Sequence, residues 1–209
     1  MLDYLYGEDN GINITNFFQK IIRNMKKLIA KILEFFKLIP PIFFGNQPCY
    51  DKWGRFLGWY SRSMAVAVFI YCKDKNGMWN VLASERGKGT PDFQGYWNCV
   101  CGYVEMNTTI PENCVKEVHE ELGIDISEKE LSFIGFEDSP SANHQNVTFR
   151  YSVIYEDKTC DDFSFTHKWN EKDEVGKIMF IPLGEINKYK WAFGHEKRII
   201  EIAKQKGLI

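Results

Sequence analysis

The most regular pattern in the chain lies between Asn16 and Pro41, in NFFQKIIRNMKKLIAKILEFFKLIPP. Phe18, Met25, Ile32 and Ile39 repeat every seven residues. Ile21, Leu28 and Phe35 hold a second heptad position, and Ile22, Ile29 and Phe36 a third. That spacing predicts a long helix with an apolar stripe broader than a coiled-coil seam. Asn16 followed by Gln19 suits its N-terminal cap, and Pro40-Pro41 ends it. From Ser61 onward the period changes. SMAVAVFIYC (63–72) is a β-branched and aromatic run, and MWNVLAS (78–84) follows the turn-forming KDKNG. The two predict a β-hairpin with Asn76-Gly77 as the turn signal. A long Gly-rich loop, ERGKGTPDFQGYWN, comes next, then a helix over about 111–122 that starts near Pro111 and ends at Gly123. Further strands are predicted at 131–137, 146–156 and 176–181, and a last helix at 195–207 with apolar residues at 199, 200 and 203. Strands mixed with two helices in this order predict an α/β sandwich, a mixed sheet between helical layers. The expected organisation is a tail over 1–14, the amphipathic helix over 15–41, a linker or edge segment over 42–60, and the main domain over 61–209.

Charge sharpens the picture of the first forty residues. Lys20, Arg23, Lys26, Lys27, Lys31 and Lys37 face the single Glu34, a balance of +5. The net charge is −2, so the rest of the chain carries −7. The balance of the whole chain gives no support to specific nucleic-acid binding. The basic amphipathic helix over 16–39 has three outlets: packing on the main domain, pairing with its twin in a homodimer, or lying on an anionic membrane surface. No apolar run reaches the ~18–20 residues needed to span a bilayer. The N-terminus, MLDYLYGEDN, is acidic where an export signal would be basic. Six cysteines without a C-x-x-C pair argue against a zinc site and against a disulfide scaffold. The expected location is cytoplasmic, free or peripheral to a membrane.

The densest candidate chemistry is KEVHEELGI (116–124), with Glu117, Glu120 and Glu121 at i, i+3 and i+4 of the second helix. Like charges at those spacings destabilise a helix by a few tenths of a kcal/mol, roughly. Such a cluster is a solvated face, a partner for a base such as Lys116, or a ligand set for a hard cation.

The longer stretch CGYVEMNTTIPENCVKEVHEELGI (101–124) resembles the Nudix box, G-x5-E-x7-R-E-U-x-E-E-x-G-U with U aliphatic. Gly102, Glu117, Val118, Glu120, Glu121, Gly123 and Ile124 fall on the pattern without a gap. The order of elements over 61–207 suits the Nudix-type α/β/α sandwich, here preceded by the long amphipathic helix. The resemblance implies a hydrolase of phosphoric anhydride bonds that uses Mg²⁺ or Mn²⁺. Its substrate would be a nucleoside diphosphate linked to another group. It implies Glu117, Glu120 and Glu121 as metal ligands and catalytic residues, with the backbone at Gly102, on a loop, beside the metal. It also implies Arg86 and Lys88 on a loop near the phosphates, and Glu174 in NEKDEV (170–175) as a further ligand or base, with Glu171 and Asp173 competing.

Two positions depart from the box: Thr108 stands for its first Glu and Lys116 for its Arg. Those two commonly brace the loop as an ion pair, and Glu105 is near enough in sequence to take a share of that work. His119 points away from the glutamates on a helical wheel, and His195 is expected at the start of the last helix. Trp97 and Phe93 suit either stacking on a base or ordinary packing. Pro140, sixteen residues beyond the box, resembles the ADP-ribose subgroup, so an ADP-ribose-like substrate leads. A sanitising nucleoside triphosphate pyrophosphohydrolase and a nucleotide-binding regulatory module with little hydrolysis are the alternatives.

Overall fold

The computed structural model describes residues 47–139, 146–165 and 173–209, together with Asn24, Met25, Leu28 and Ile32. The chain divides into two compact units at Arg62 and Ser63. In the first, β1 (Gln47–Tyr50) and β2 (Phe56–Tyr60) form an antiparallel hairpin inside the segment expected to be a linker or edge. Of the amphipathic stretch, the four described residues are helical and exposed. The rest of the 16–39 expectation, like Pro140 and Glu171, lies outside the described residues. Among the described residues, no helix is long and apolar enough to cross a membrane.

In the second unit the run at Ser63–Lys73 becomes the central strand, β3. Its side chains alternate between two cores, Ala67, Phe69 and Tyr71 on one face and Val66, Val68, Ile70 and Cys72 on the other. Burial on both faces explains why the run reads as continuously apolar. After β3 come β4 (Trp79–Arg86), β5 (Trp97–Asn98) and β6 (Val100–Tyr103), then helix α1 (Ile110–Leu122). The chain continues through β7 (Ser132–Glu137), β8 (Asn146–Thr159) and β9 (Val175–Pro182) to helix α2 (His195–Gln205). The seven strands β3 to β9 form one sheet in which β3 and β8 run parallel and the other pairs antiparallel.

One edge of β3 is shared. Its first half pairs with β6 and its second half with β4, so the sheet forks where those two strands part. Helix α1 covers one face through Cys114, Val118 and Leu122, each fully buried at successive turns. Burying side chains of that size stabilises by about 1.5–3 kcal/mol each. Helix α2 covers the other face through Ile199, Ile202 and Ala203, and the Tyr71 hydroxyl donates to the Ile199 carbonyl across 3.0 Å. The α/β sandwich with a mixed sheet is the observed architecture of this unit.

Candidate active site

Helix α1 starts and stops on local chemistry. Thr109 caps its N-terminus in a reciprocal box with Glu112: the Glu112 N–H donates to Thr109 Oγ1, and the Thr109 N–H donates to Glu112 Oε2 at 2.7 Å. Gly123 ends it in the left-handed region, φ 68°. With both ends fixed and the 114–118–122 stripe buried, the neighbouring stripe 113–117–121 is forced to lie along β6.

That stripe meets the strand residue by residue. Asn113, fully buried, donates to the Tyr103 carbonyl and accepts from the Glu105 N–H at 3.0 Å. It also lies 3.4 Å from Glu117 Oε1, as a donor. The Glu117 carboxylate sits so close to Gly102 that a Cβ built there would overlap it. Glu121 Oε1 accepts from the Cys101 N–H at 3.3 Å. Its other oxygen, Oε2, is enclosed and has no hydrogen-bond partner. Gly102 therefore belongs to strand β6, paired with Val66, and not to a loop. What requires glycine is the carboxylate of Glu117 pressed on the strand.

The three glutamates do not share one environment in the structure. Glu120 is exposed and turned to Lys116, whose Nζ lies 2.6 Å from it and 3.1 Å from Glu105. Successive residues step by 100° around a helix, which sets 117 and 121 closer together than either is to the 116–120 row. Among the described residues, no three acidic, histidine or cysteine side chains converge on a single point. Glu117 and Glu121 are the pair brought together. Burial is the largest cause pushing Glu117 up to about 7, and burial followed by the Glu117 charge pushes Glu121 well above the carboxylate range. Two half-buried acids side by side, one with an enclosed and orphaned oxygen, fit a hard divalent cation, which would satisfy that oxygen and return both to the ionised form.

The brace expected from Thr108 and Lys116 is rebuilt. Lys116 has its carboxylate partner in Glu105, while Thr108 Oγ1 donates to the Glu105 carbonyl at 3.0 Å and so fixes the turn that carries it. Asn113 was not foreseen. The signal was a polar, helix-disfavoured residue one turn before Glu117 and next to the buried stripe.

The other candidates fall around the mouth of the site. Arg86 is mostly buried and committed, its Nη2 2.6 Å from Asp92 Oδ1 and its guanidinium 4.8 Å from the Phe193 ring centroid. Its positive charge is nevertheless felt by Glu121. Lys88 is exposed, and no ion pair of its side chain is present among the described residues. Glu174 is exposed, and its carbonyl accepts from the Gly87 N–H at 2.7 Å, while the Asp173 carbonyl accepts from the Gly89 N–H. A Cβ at Gly87 would collide with that Asp173 carbonyl, so the two loops touch at backbone distance. Glu174 is close enough to Glu121 to raise its proton affinity.

The histidines stay outside the pair. His119 is exposed, 2.8 Å from Asp125. His195 opens α2, is buried, and accepts from the Cys99 N–H through Nδ1 at 3.0 Å. Trp97 is buried in the α2-side core, whereas Phe93 is exposed. Among the described residues, Cys72, Cys99, Cys101, Cys114 and Cys160 are free thiols.

Known proteins resemble this chain in sequence and in fold. The family profile of the NUDIX domain matches residues 62–201. The dihydroneopterin triphosphate diphosphatase of Haemophilus influenzae is 34% identical over 148 residues, covering 70% of this chain and 83% of that protein. Its Escherichia coli K12 counterpart is 36% identical over 75 residues, so the chain spans 45% of the length of that relative. Among solved structures, a MutT/nudix family protein from Enterococcus faecalis superposes with a TM-score of 0.55 at 17% identity, covering 84% of this chain and 68% of the other. The NUDIX domain of Shewanella oneidensis NrtR, complexed with ADP ribose, superposes with a TM-score of 0.54 at 15% identity over 70% of this chain and 89% of the other. At such identities the structural likeness speaks for the fold alone. The family match over most of the chain and the H. influenzae relative go further: this chain belongs to the Nudix family.

Proposed function

We propose that the chain is a divalent-metal-dependent pyrophosphohydrolase acting on a triphosphate that carries a ring-bearing nucleoside- or pterin-type group. The carrying observation is the Glu117–Glu121 pair of α1 lying against β6, with its enclosed and unpartnered Glu121 oxygen. Glu117 and Glu121 would hold Mg²⁺ or Mn²⁺, with Glu120 within reach once it leaves Lys116. A cation held there would supply neutralisation of phosphate charge and a more acidic bound water. The protein's own part is positioning: Gly102 and Asn113 fix Glu117, the Cys101 N–H fixes Glu121, Lys88 offers a free ammonium to the phosphates, and Glu174 is a further base or ligand.

The H. influenzae relative supports a triphosphate over the ADP-ribose-like substrate that Pro140 suggested. ADP ribose in the NrtR structure accompanies a likeness of fold alone. The Lys116–Glu105 pair supports hydrolysis over a binding-only module, because the brace keeps both charges. The test is phosphate and diphosphate release from a panel of 7,8-dihydroneopterin triphosphate, the common nucleoside triphosphates and ADP-ribose, with Mg²⁺ and with Mn²⁺. Faster turnover of triphosphates than of ADP-ribose is expected. Binding without turnover across the panel would establish the module instead.

A further inference from the structure

Two phenylalanines in this domain hold a backbone conformation that phenylalanine rarely adopts. Phe93 has φ 48° and Phe193 φ 56°, both in the left-handed region. A side chain with a Cβ pays for that conformation, and such strain persists only where the surroundings enforce it. Both residues are also exposed, by 43% and 45%, so full burial of the rings is not what holds them there. They meet each other edge to face, with centroids 5.0 Å apart.

The surroundings do enforce it. The Phe93 loop is bonded to itself: Thr90 Oγ1 donates to the Gly87 carbonyl, and Gln94 Nε2 to the Lys88 and Thr90 carbonyls. The Phe193 turn is locked to β5, where the Trp97 N–H donates to the Lys190 carbonyl and the Ala192 N–H to the Trp97 carbonyl, each at 2.8 Å. Arg86 and His195 then connect the pair to the acidic site. The Arg86 guanidinium lies over the Phe193 ring and is pinned by Asp92. The same ring packs on His195, centroids 5.7 Å apart. His195 Nδ1 accepts from the Cys99 N–H, two residues before the Cys101 N–H that donates to Glu121. An exposed aromatic corner thus stands beside the strand segment that holds Glu121.

The geometry points to Phe93 and Phe193 as the seat for the substrate's fused heteroaromatic ring, with the phosphate chain running past Arg86 to Glu117 and Glu121. This rests on the proposed hydrolysis of ring-bearing triphosphates and names the residues that would select the ring. Rigid aromatic faces bind planar heterocycles by stacking with little sequence of polar contacts needed. The strain is then the cost of presenting both rings outward.

Calorimetric binding tests the seat with two probes, the α,β-methylene analogue of GTP and inorganic tripolyphosphate, on the full chain with Mg²⁺. Phe193→Asn and Phe93→Asn suit the left-handed backbone and remove one ring each. Each is expected to weaken the GTP analogue by roughly tenfold, to leave tripolyphosphate affinity within about twofold, and to leave the melting midpoint equal or higher. Phe193→Tyr, which keeps the ring, should bind as the parent does. Competition by 7,8-dihydroneopterin triphosphate, with and without each substitution, tells a pterin preference from a purine one. Unchanged affinity for the analogue, an equal loss of both probes, or a parent that binds the two probes equally would each overturn the seat. Because binding is read directly, a parent without turnover defeats the proposed activity and leaves this test decisive.

Discussion

The carboxylate of Glu117 rests against the backbone of Gly102, and the space a side chain would need at 102 is already filled by it. This contact is the middle rung of three. Asn113 binds the strand above it at Tyr103 and Glu105, and Glu121 binds below it at Cys101. The glutamates are thus positioned by helix register against a strand, and their chemistry depends on that register being held.

Gly102→Ala puts a methyl group into the Glu117 carboxylate. The helix must shift or Glu117 must turn away, and either spoils the site. Hydrolysis should fall by about 100-fold, the upper range for losing support of a ligand, while the fold survives with a lower melting midpoint. Steady-state kinetics and a thermal melt check this. Activity within threefold of the parent would show that the contact is dispensable.

Asn113→Ala leaves the Glu105 N–H and the Tyr103 carbonyl without their partner in a part-buried place. A fully buried orphaned group costs about 1–3 kcal/mol; here, where both bonds are part-buried, denaturant unfolding should show a loss of stability on the order of 1–3 kcal/mol in total. Metal affinity should weaken as well, since Glu117 loses its donor.

Thr108→Glu restores the acidic residue of the box, yet little gain is expected. Lys116 already has Glu105 and Glu120, and the group is about a third exposed, where one more surface pair adds about 0–1 kcal/mol. The kcat/KM should change by less than about threefold. A large gain would mean that Glu105 does not brace the loop.

His195 makes a pH prediction. Burial, then the charges of Arg150 and Arg86, hold its imidazole down to about 3. The folded value lies below the unfolded one of about 6.5, so its contribution is complete above that pH and is lost as pH falls from about 6.5 towards 3. Glu117, raised to about 7, works in the opposite direction in the metal-free protein, gaining stability as pH falls. His195→Asn isolates the imidazole, because Asn can still accept from the Cys99 N–H and does not titrate. Parent stability relative to this variant should decline by about 1 kcal/mol per pH unit between pH 6 and 4. A pH-independent difference would contradict the buried neutral imidazole.

Much of this architecture was legible in the residues. The unbroken apolar run of β3 announced a strand buried on both faces, and Gly123 marked the end of α1 where the structure ends it. The signal Thr109-x-x-Glu112 was present too, and the cap it forms sets the register that matters. Strands β5 and β6 were hidden in a glycine-rich stretch because they are two and four residues long, too short for a period to show. A helical wheel put Glu117, Glu120 and Glu121 on one face, but only tertiary contact separates Glu120, held by Lys116, from the pair lying against β6. Arg86 read as a phosphate-binding residue on a loop, but it ends strand β4, and its tie to Asp92 depends on a loop fold that no local pattern encodes. The left-handed turn at Phe193 is likewise imposed from outside, by the bridge between Trp97 and Trp191.

The most direct test of the Glu117–Glu121 site is a calorimetric titration of Mn²⁺ into the parent chain, Glu121→Gln and Glu120→Gln at neutral pH. Parent binding should be weakened at least tenfold, roughly, in Glu121→Gln, and clearly less in Glu120→Gln, whose carboxylate starts outside the pair. Glu121→Gln binding Mn²⁺ as tightly as the parent would contradict the assignment.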